Sequence, residues 1–300
     1  MIRIAHHSIY AHPLPEGHRF PMLKYEMLPE QLVREGTCKR EQFFTPNRIL
    51  EKHILRTHCA EYYKQLNEVS LSKKETRRMG FPLSKELIER ECVIAQGTLE
   101  GCEFALKHGI SFNIAGGTHH AFFDRGEAFC LLNDQGIAAN YLLHTQQAYQ
   151  VLIIDLDVHQ GNGTAALFRN NPNVFTFSMH GKANYPFEKE ASDMDIALED
   201  NTQDSEYLEI LEVQLAHLFT TVKPDFVFYL SGVDVLKEDK LGRLSLSLDG
   251  AKKRDEMVLS SCFERGIPVQ CSMGGGYAPD VNLIVEAHAN SYRIAAEIFE

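Results

Sequence analysis

Five short apolar runs, at 111–115, 151–156, 174–178, 226–231 and 269–273, alternate with longer stretches of helical periodicity at 85–108, 133–145, 205–221, 248–265 and 281–299. The short runs are rich in β-branched and aromatic residues and lack a polar face, the pattern of strands buried on both sides. Strand then helix, repeated, leads to a parallel sheet with right-handed crossovers and helices covering both faces. The expected fold is therefore α/β, a three-layer α/β/α arrangement around a mainly parallel sheet. Sheets of this kind carry their reactive groups on loops at the carboxyl ends of strands, where segments far apart in the chain converge on one crevice.

The 300 residues show no linker, internal repeat or low-complexity tract, and they read as one domain. Residues 1–80 differ from the rest. Pro13, Pro15, Pro21, Pro29 and Pro46 break them up, so they are expected to wrap the sheet and line the rim of a site carried by the 81–300 body. A formal net charge of −11 argues against a surface built to neutralise phosphates and leans mildly toward a cationic substrate, with no nucleic acid as partner. The basic run Lys73-Lys74-Glu75-Thr76-Arg77-Arg78 reads as a solvated loop or helix end. Seven cysteines without a C-x-x-C pair fit neither a disulfide framework nor a cysteine zinc knuckle, and a reducing, cytoplasmic setting is the expectation. No apolar run approaches the roughly 18 residues of a membrane span, so no membrane partner is expected. Exposed Leu and Ile on helices do not fix an oligomeric state.

Just after four of the apolar runs stand Gly116-Gly117-Thr118-His119-His120, Asp155-Leu156-Asp157-Val158-His159, Ser231-Gly232-Val233-Asp234 and Gly274-Gly275-Gly276-Tyr277. Asp157 and His159 are two apart, so in extended backbone their side chains share a face. With Asp234 they make one nitrogen and two carboxylates, a donor set suited to zinc or ferrous iron. Asp155, at the end of the apolar run, is a buried carboxylate that needs a partner: a histidine to orient or a monovalent cation to hold. His119 or His120, brought close by the Gly-Gly turn, can serve as general base. Tyr277 can donate its hydroxyl to a developing oxyanion. Taken singly these residues have ordinary readings, as a capping Asp, a surface His pair and a turning glycine loop. Matching chemistry at several strand ends decides against them.

Together the motifs resemble the histone deacetylase and acetoin-utilisation family of the arginase-deacetylase fold. Further segments that match are Ala128-Phe129-Cys130-Leu131-Leu132-Asn133-Asp134, Gln160-Gly161-Asn162-Gly163-Thr164 and Thr176-Phe177-Ser178-Met179-His180. His18-Arg19-Phe20-Pro21-Met22-Leu23-Lys24-Tyr25, Gly80-Phe81-Pro82 and Asn184-Tyr185-Pro186 look like its class IV-type branch. The resemblance implies zinc on Asp157, His159 and Asp234, water activation and proton transfer by His119 and His120, and polarisation of the acyl carbonyl by Tyr277. It also implies a structural potassium near Asp155, the backbone of Asp157 and His159, and Ser178 with Met179. Phe129, Tyr185 and Leu241 correspond to walls of an acyl tunnel.

Two departures stand out. Where class I members pair the second histidine with an Asp, this chain has Asn162, while the first histidine keeps Asp155. A neutral amide does not stabilise imidazolium, so His120 is expected to be the neutral base and His119 the more readily protonated member. No obvious acidic residue stands between Gly80 and Lys85, where class I enzymes present an Asp to the substrate backbone. The implied activity is removal of acetyl or longer acyl groups from lysine ε-amines. Its rivals are deacylation of acetylated polyamines or another small amide, and a non-catalytic acyl-lysine reader or scaffold.

Overall fold

The computed structural model describes residues 1–300. In chain order its elements are β1 (Arg3–Ala5), α1 (Lys24–Arg34), β2 (Phe43–Phe44), α2 (Glu51–Ile54), α3 (Ala60–Asn67), α4 (Lys73–Met79), α5 (Lys85–His108), β3 (Ile110–Asn113) and α6 (Asp134–His144). There follow β4 (Val151–Asp155), α7 (Asn162–Phe168), β5 (Val174–Gly181), β6 (Met194–Leu198), α8 (Asp204–Thr221), β7 (Phe226–Leu230), α9 (Leu248–Glu264), β8 (Val269–Ser272) and α10 (Val281–Phe299).

All eight strands join one parallel sheet in the order β2-β1-β3-β8-β7-β4-β5-β6. Every residue of β3, β4, β7 and β8 is buried, because helices cover both faces. Period-two side-chain alternation divides the core accordingly. Leu152, Ile154, Val227 and Tyr229 enter one apolar cluster with residues of α1, α8, α9 and α10. Val151, Ile153, Phe226 and Phe228 enter the other with residues of α3, α5 and α6. The expected three-layer α/β/α architecture is the one observed.

Three strands lie outside the runs that sequence pattern singles out. β1 and β2 have three and two residues, too few for any periodicity to register. β6 is a sheet edge whose burial alternates along Met-Asp-Ile-Ala-Leu, so it lacks the continuous apolar signal of the interior strands. Residues 1–80 contribute β1, β2 and α1 to α4, and they also place Phe20, Lys24 and Tyr25 toward the centre of the molecule.

The sheet register positions the site. Asn113, Ser272, Leu230 and Asp155 lie side by side on β3, β8, β7 and β4, four consecutive strands. The four motif-bearing loops therefore leave the sheet at the same level and at the same, carboxyl, edge.

Candidate active site

The loop after β3 turns through Gly116 and Gly117, whose φ values of 76° and 74° lie in the left-handed region that favours glycine. Asp134, buried at the start of α6, secures this turn: its carboxylate accepts from the Thr118 N–H at 2.8 Å and the Thr118 hydroxyl at 2.7 Å. The turn delivers His119 and His120 to the interior, 6% and 4% exposed. His119 Nδ1 lies 2.7 Å from Asp155 Oδ2, and His120 Nδ1 lies 2.6 Å from Asn162 Oδ1. The Asn162 oxygen also accepts from the Gly163 N–H at 3.0 Å, so His120 must be the donor at Nδ1, leaving its Nε2 without a proton.

The two imidazoles have opposite electrostatic surroundings. Burial weighs most on His119 and opposes its charge, but the Asp155 carboxylate outweighs it and lifts the ring above its ordinary value. Burial, then the neighbouring His119 and His159, pushes His120 well below its ordinary value, and Asn162 supplies no charge to oppose them.

Asp157, His159 and Asp234 meet between the ends of β4 and β7, their ligand atoms all within 4.8 Å of one another. His159 Nδ1 stands 3.0 Å from Asp157 Oδ1 and 3.1 Å from Asp234 Oδ2. Burial, then the facing Asp157 carboxylate, pushes Asp234 up to about 7. Two carboxylates crowded in the interior call for a cation, and these donors suit a divalent ion that takes imidazole and oxygen ligands. The loop after β8 keeps the space open. A Cβ on Gly275 falls 2.7 Å from both Asp157 Oδ2 and Asp234 Cγ and overlaps Asp234 Oδ2 itself. The Gly275 N–H donates to Asp157 Oδ2 at 2.7 Å. The donor set and its cradle fit a metal.

Tyr277 follows the same glycines. Its N–H donates to Asp239 Oδ2 at 2.6 Å, and its ring meets His159, Phe20 and Phe129 at centroid distances of 6.3, 5.9 and 6.1 Å. Burial, then Asp234 and Asp157, drives its phenol well above the ordinary value, so at neutral pH it remains a hydrogen-bond donor. His119, His120, Asp157, His159 and Tyr277 border one inner cavity.

Phe129, Tyr185 and Leu241 line the opening that leads to this cavity. Ala128 and Phe129 have φ values of 41° and 70°, backbone strain that neighbouring structure must hold. Their N–H groups donate to the carbonyls of Arg78 and Met79, at the end of α4. Tyr185 donates to Glu127 at 2.7 Å, and Asn184 fixes the Leu241 carbonyl at 2.6 Å. Asp155 and Ser178 sit opposite each other on β4 and β5. Their side chains meet His119, the Asp157 N–H and His180, and the potassium reading rests on the resemblance alone.

Four supporting residues escaped sequence reasoning. Arg254, fully buried on α9, donates from Nη1 to the carbonyls of Leu156 at 3.2 Å and Gly232 at 2.6 Å. It thereby ties together the backbones that carry Asp157 and Asp234, with its charge paired to Asp255. In sequence it sits in the charged run Lys252-Lys253-Arg254-Asp255. Asp239 accepts the N–H groups of Leu241, Gly242 and Tyr277, linking the lining of the opening to the phenol. Lys24 is fully buried, its Nζ 3.3 Å from the Gly274 carbonyl, and burial draws its ammonium down to about 8 against the pull of Asp234 and Asp157. His58 bridges both ends of the 122–133 loop, with Nδ1 2.8 Å from the Phe122 carbonyl and Nε2 accepting from the Asn133 N–H at 3.0 Å. A helix position, a loop Asp and isolated basic residues carry no local signal of such roles.

Comparison with known proteins gives the same picture. An uncharacterised protein of Picosynechococcus sp. is 40% identical over 296 residues, which cover 99% of both chains. Histone deacetylase 2 of Arabidopsis thaliana is 28% identical, with 87% of this chain and 70% of that protein aligned. The crystal structure of an HDAC homolog from Aquifex aeolicus superposes with a TM-score of 0.83 at 23% identity, covering 97% of this chain and 82% of that one, a likeness of fold. The histone deacetylase domain family matches residues 18–291, and this chain belongs to that family.

Proposed function

We propose that this protein is a divalent-metal-dependent deacylase, most simply zinc-dependent, that hydrolyses the amide between an acyl group and a lysine ε-amine. The observation that carries this reading is the meeting of Asp157, His159 and Asp234 beside a cavity that Asp157, His159, two further histidines and a protonated phenol line. Membership of the histone deacetylase family supports amide hydrolysis.

Asp157, His159 and Asp234 would hold the ion, which when bound supplies Lewis-acid polarisation of the acyl carbonyl and activation of water. His120 is the base in this scheme. Its Nδ1–H is engaged by Asn162, so its Nε2 lone pair is free to take a proton from the attacking water. His119 is held by Asp155 in the orientation and charge state that suit delivery of a proton to the leaving amine. Tyr277 donates its hydroxyl to the oxygen on which negative charge develops. Phe129 and Tyr185 shield the aliphatic stem of the lysine from water.

The test is acyl release by zinc- or iron-loaded protein from lysine peptides bearing acetyl to long-chain groups, alongside acetylated polyamines, with Asp157→Ala as control. Release from peptides that vanishes in the control is expected. Intact metal content with no release from any peptide would defeat the reading.

A further inference from the structure

The opening above the candidate metal ligands has a volume of about 560 Å3, and the Lys, Arg, Asp and Glu residues that line it are all cationic: Arg19, Arg78, Lys240 and Arg243. All four are exposed. Arg243 shares its charge with Asp200 at 3.0 Å, and Arg78 stands 3.9 Å from Glu127, a carboxylate already engaged by Arg125 and the Tyr185 hydroxyl. Arg19 lies over the Phe129 ring at 4.9 Å and, like Lys240, forms no ion pair. The two acids that precede Lys240 do not cancel this. Asp239 is turned onto the backbone N–H groups of Leu241, Gly242 and Tyr277, and Glu238 is matched by Lys237 at 3.4 Å.

A chain of net charge −11 therefore carries a locally positive mouth. Charge of one sign around a cleft focuses the field there and selects what enters, whatever the sign of the whole molecule. The cationic substrate suggested by net charge would have to place its ammonium groups among four like charges.

We propose that the amine half of the substrate is anionic, an acyl-lysine flanked by carboxylates, as in an acidic peptide segment. This rests on the deacylase reading. Two free cations on one rim can meet two acidic side chains at once, and Phe187, 85% exposed beside Tyr185, offers the peptide an apolar contact. A polyamine lacks the anionic complement.

The probes are dye-labelled acetyl-lysine peptides of equal length with Glu, Ser or Lys flanks, together with free Nε-acetyl-lysine and an acetylated polyamine. Binding is read by fluorescence anisotropy on zinc-loaded Tyr277→Phe protein, and turnover on the unaltered protein. The acidic peptide is expected to bind about tenfold more tightly than the neutral one at low salt, several weak exposed pairs acting together. That margin shrinks at high salt because exposed charges are screened. The double variant Arg19→Glu with Lys240→Glu, checked for an unchanged melting temperature, should invert the order.

Equal binding of all flanks, or preference for Lys flanks, overturns the proposal. Acidic-selective binding with no turnover of any probe defeats the deacylase reading and leaves the charge assignment standing. Turnover without charge selectivity does the reverse. Free Nε-acetyl-lysine binding as well as the acidic peptide identifies a small amino acid as the source of the same carboxylate chemistry.

Discussion

Replacing Gly275 with alanine tests the candidate metal centre by adding one methyl group. The glycine has an ordinary φ, so alanine meets no backbone penalty there, and the effect is steric. The new Cβ falls 2.7 Å from Asp157 Oδ2 and from Asp234 Cγ, against an unstrained separation of roughly 3.5 Å. Asp157 must therefore retreat by roughly 0.8 Å, and Asp234, whose Oδ2 the new Cβ overlaps, by more; both shifts are several times the tolerance of about 0.2 Å within which ligand distances are held. Disturbing an outer-shell partner alone costs about 10- to 100-fold in metal affinity, and this substitution strikes two ligands together. A loss of at least about a hundredfold, or about 2.7 kcal/mol, is expected. The assay strips the protein, titrates zinc against a chromophoric chelator, and records circular dichroism and thermal unfolding of the apo form. An alanine variant with native secondary structure and unchanged zinc affinity would refute the assignment of Asp157 and Asp234 as ligands.

Tyr277→Phe should lower turnover by about a hundredfold to a thousandfold with zinc content intact, the usual cost of one oxyanion donor; equal turnover would remove the phenol from the reaction. Arg254→Met strands the Asp255 carboxylate with only the Tyr229 and Ser291 hydroxyls and should cost about 3–5 kcal/mol in urea unfolding. Replacing Arg254 and Asp255 together by apolar residues should recover much of that loss, and a single-variant cost below about 1 kcal/mol would show the pair to be peripheral. Burial holds fully buried His58 down to about 4, below its ordinary 6.5, so the folded state favours its neutral form. The unfolded chain binds the extra proton first. This contribution is therefore complete above pH 6.5, is lost as pH falls toward 4, and totals up to about 3 kcal/mol. His58→Gln should flatten the stability profile over that window, and an unchanged slope would exclude His58 as its source.

Most of the fold was legible in sequence because interior parallel strands are continuous apolar runs, and α5, α8, α9 and α10 are long enough for periodicity to register. β1, β2 and β6 were not, two being very short and the third lying half-exposed at the sheet edge. The residues proposed to hold metal and move protons also stand out in sequence, since each follows a recognisable strand end and a local spacing fixes which side chains share a face. Arg254, Asp239, Lys24 and His58 were not, because their parts are defined by carbonyls and N–H groups brought near from distant segments.

Charge shows the division most clearly. Sequence alone gives the sum, −11, along with the strands, their order in the chain and the chemistry placed at their ends. Only the tertiary structure decides that β3, β8, β7 and β4 stand side by side, so that four separate loops build one site. It also decides that Arg19, Arg78, Lys240 and Arg243, taken from three separate places in the chain, gather at the mouth. A sum carries no positions, and the field a substrate meets depends on distance.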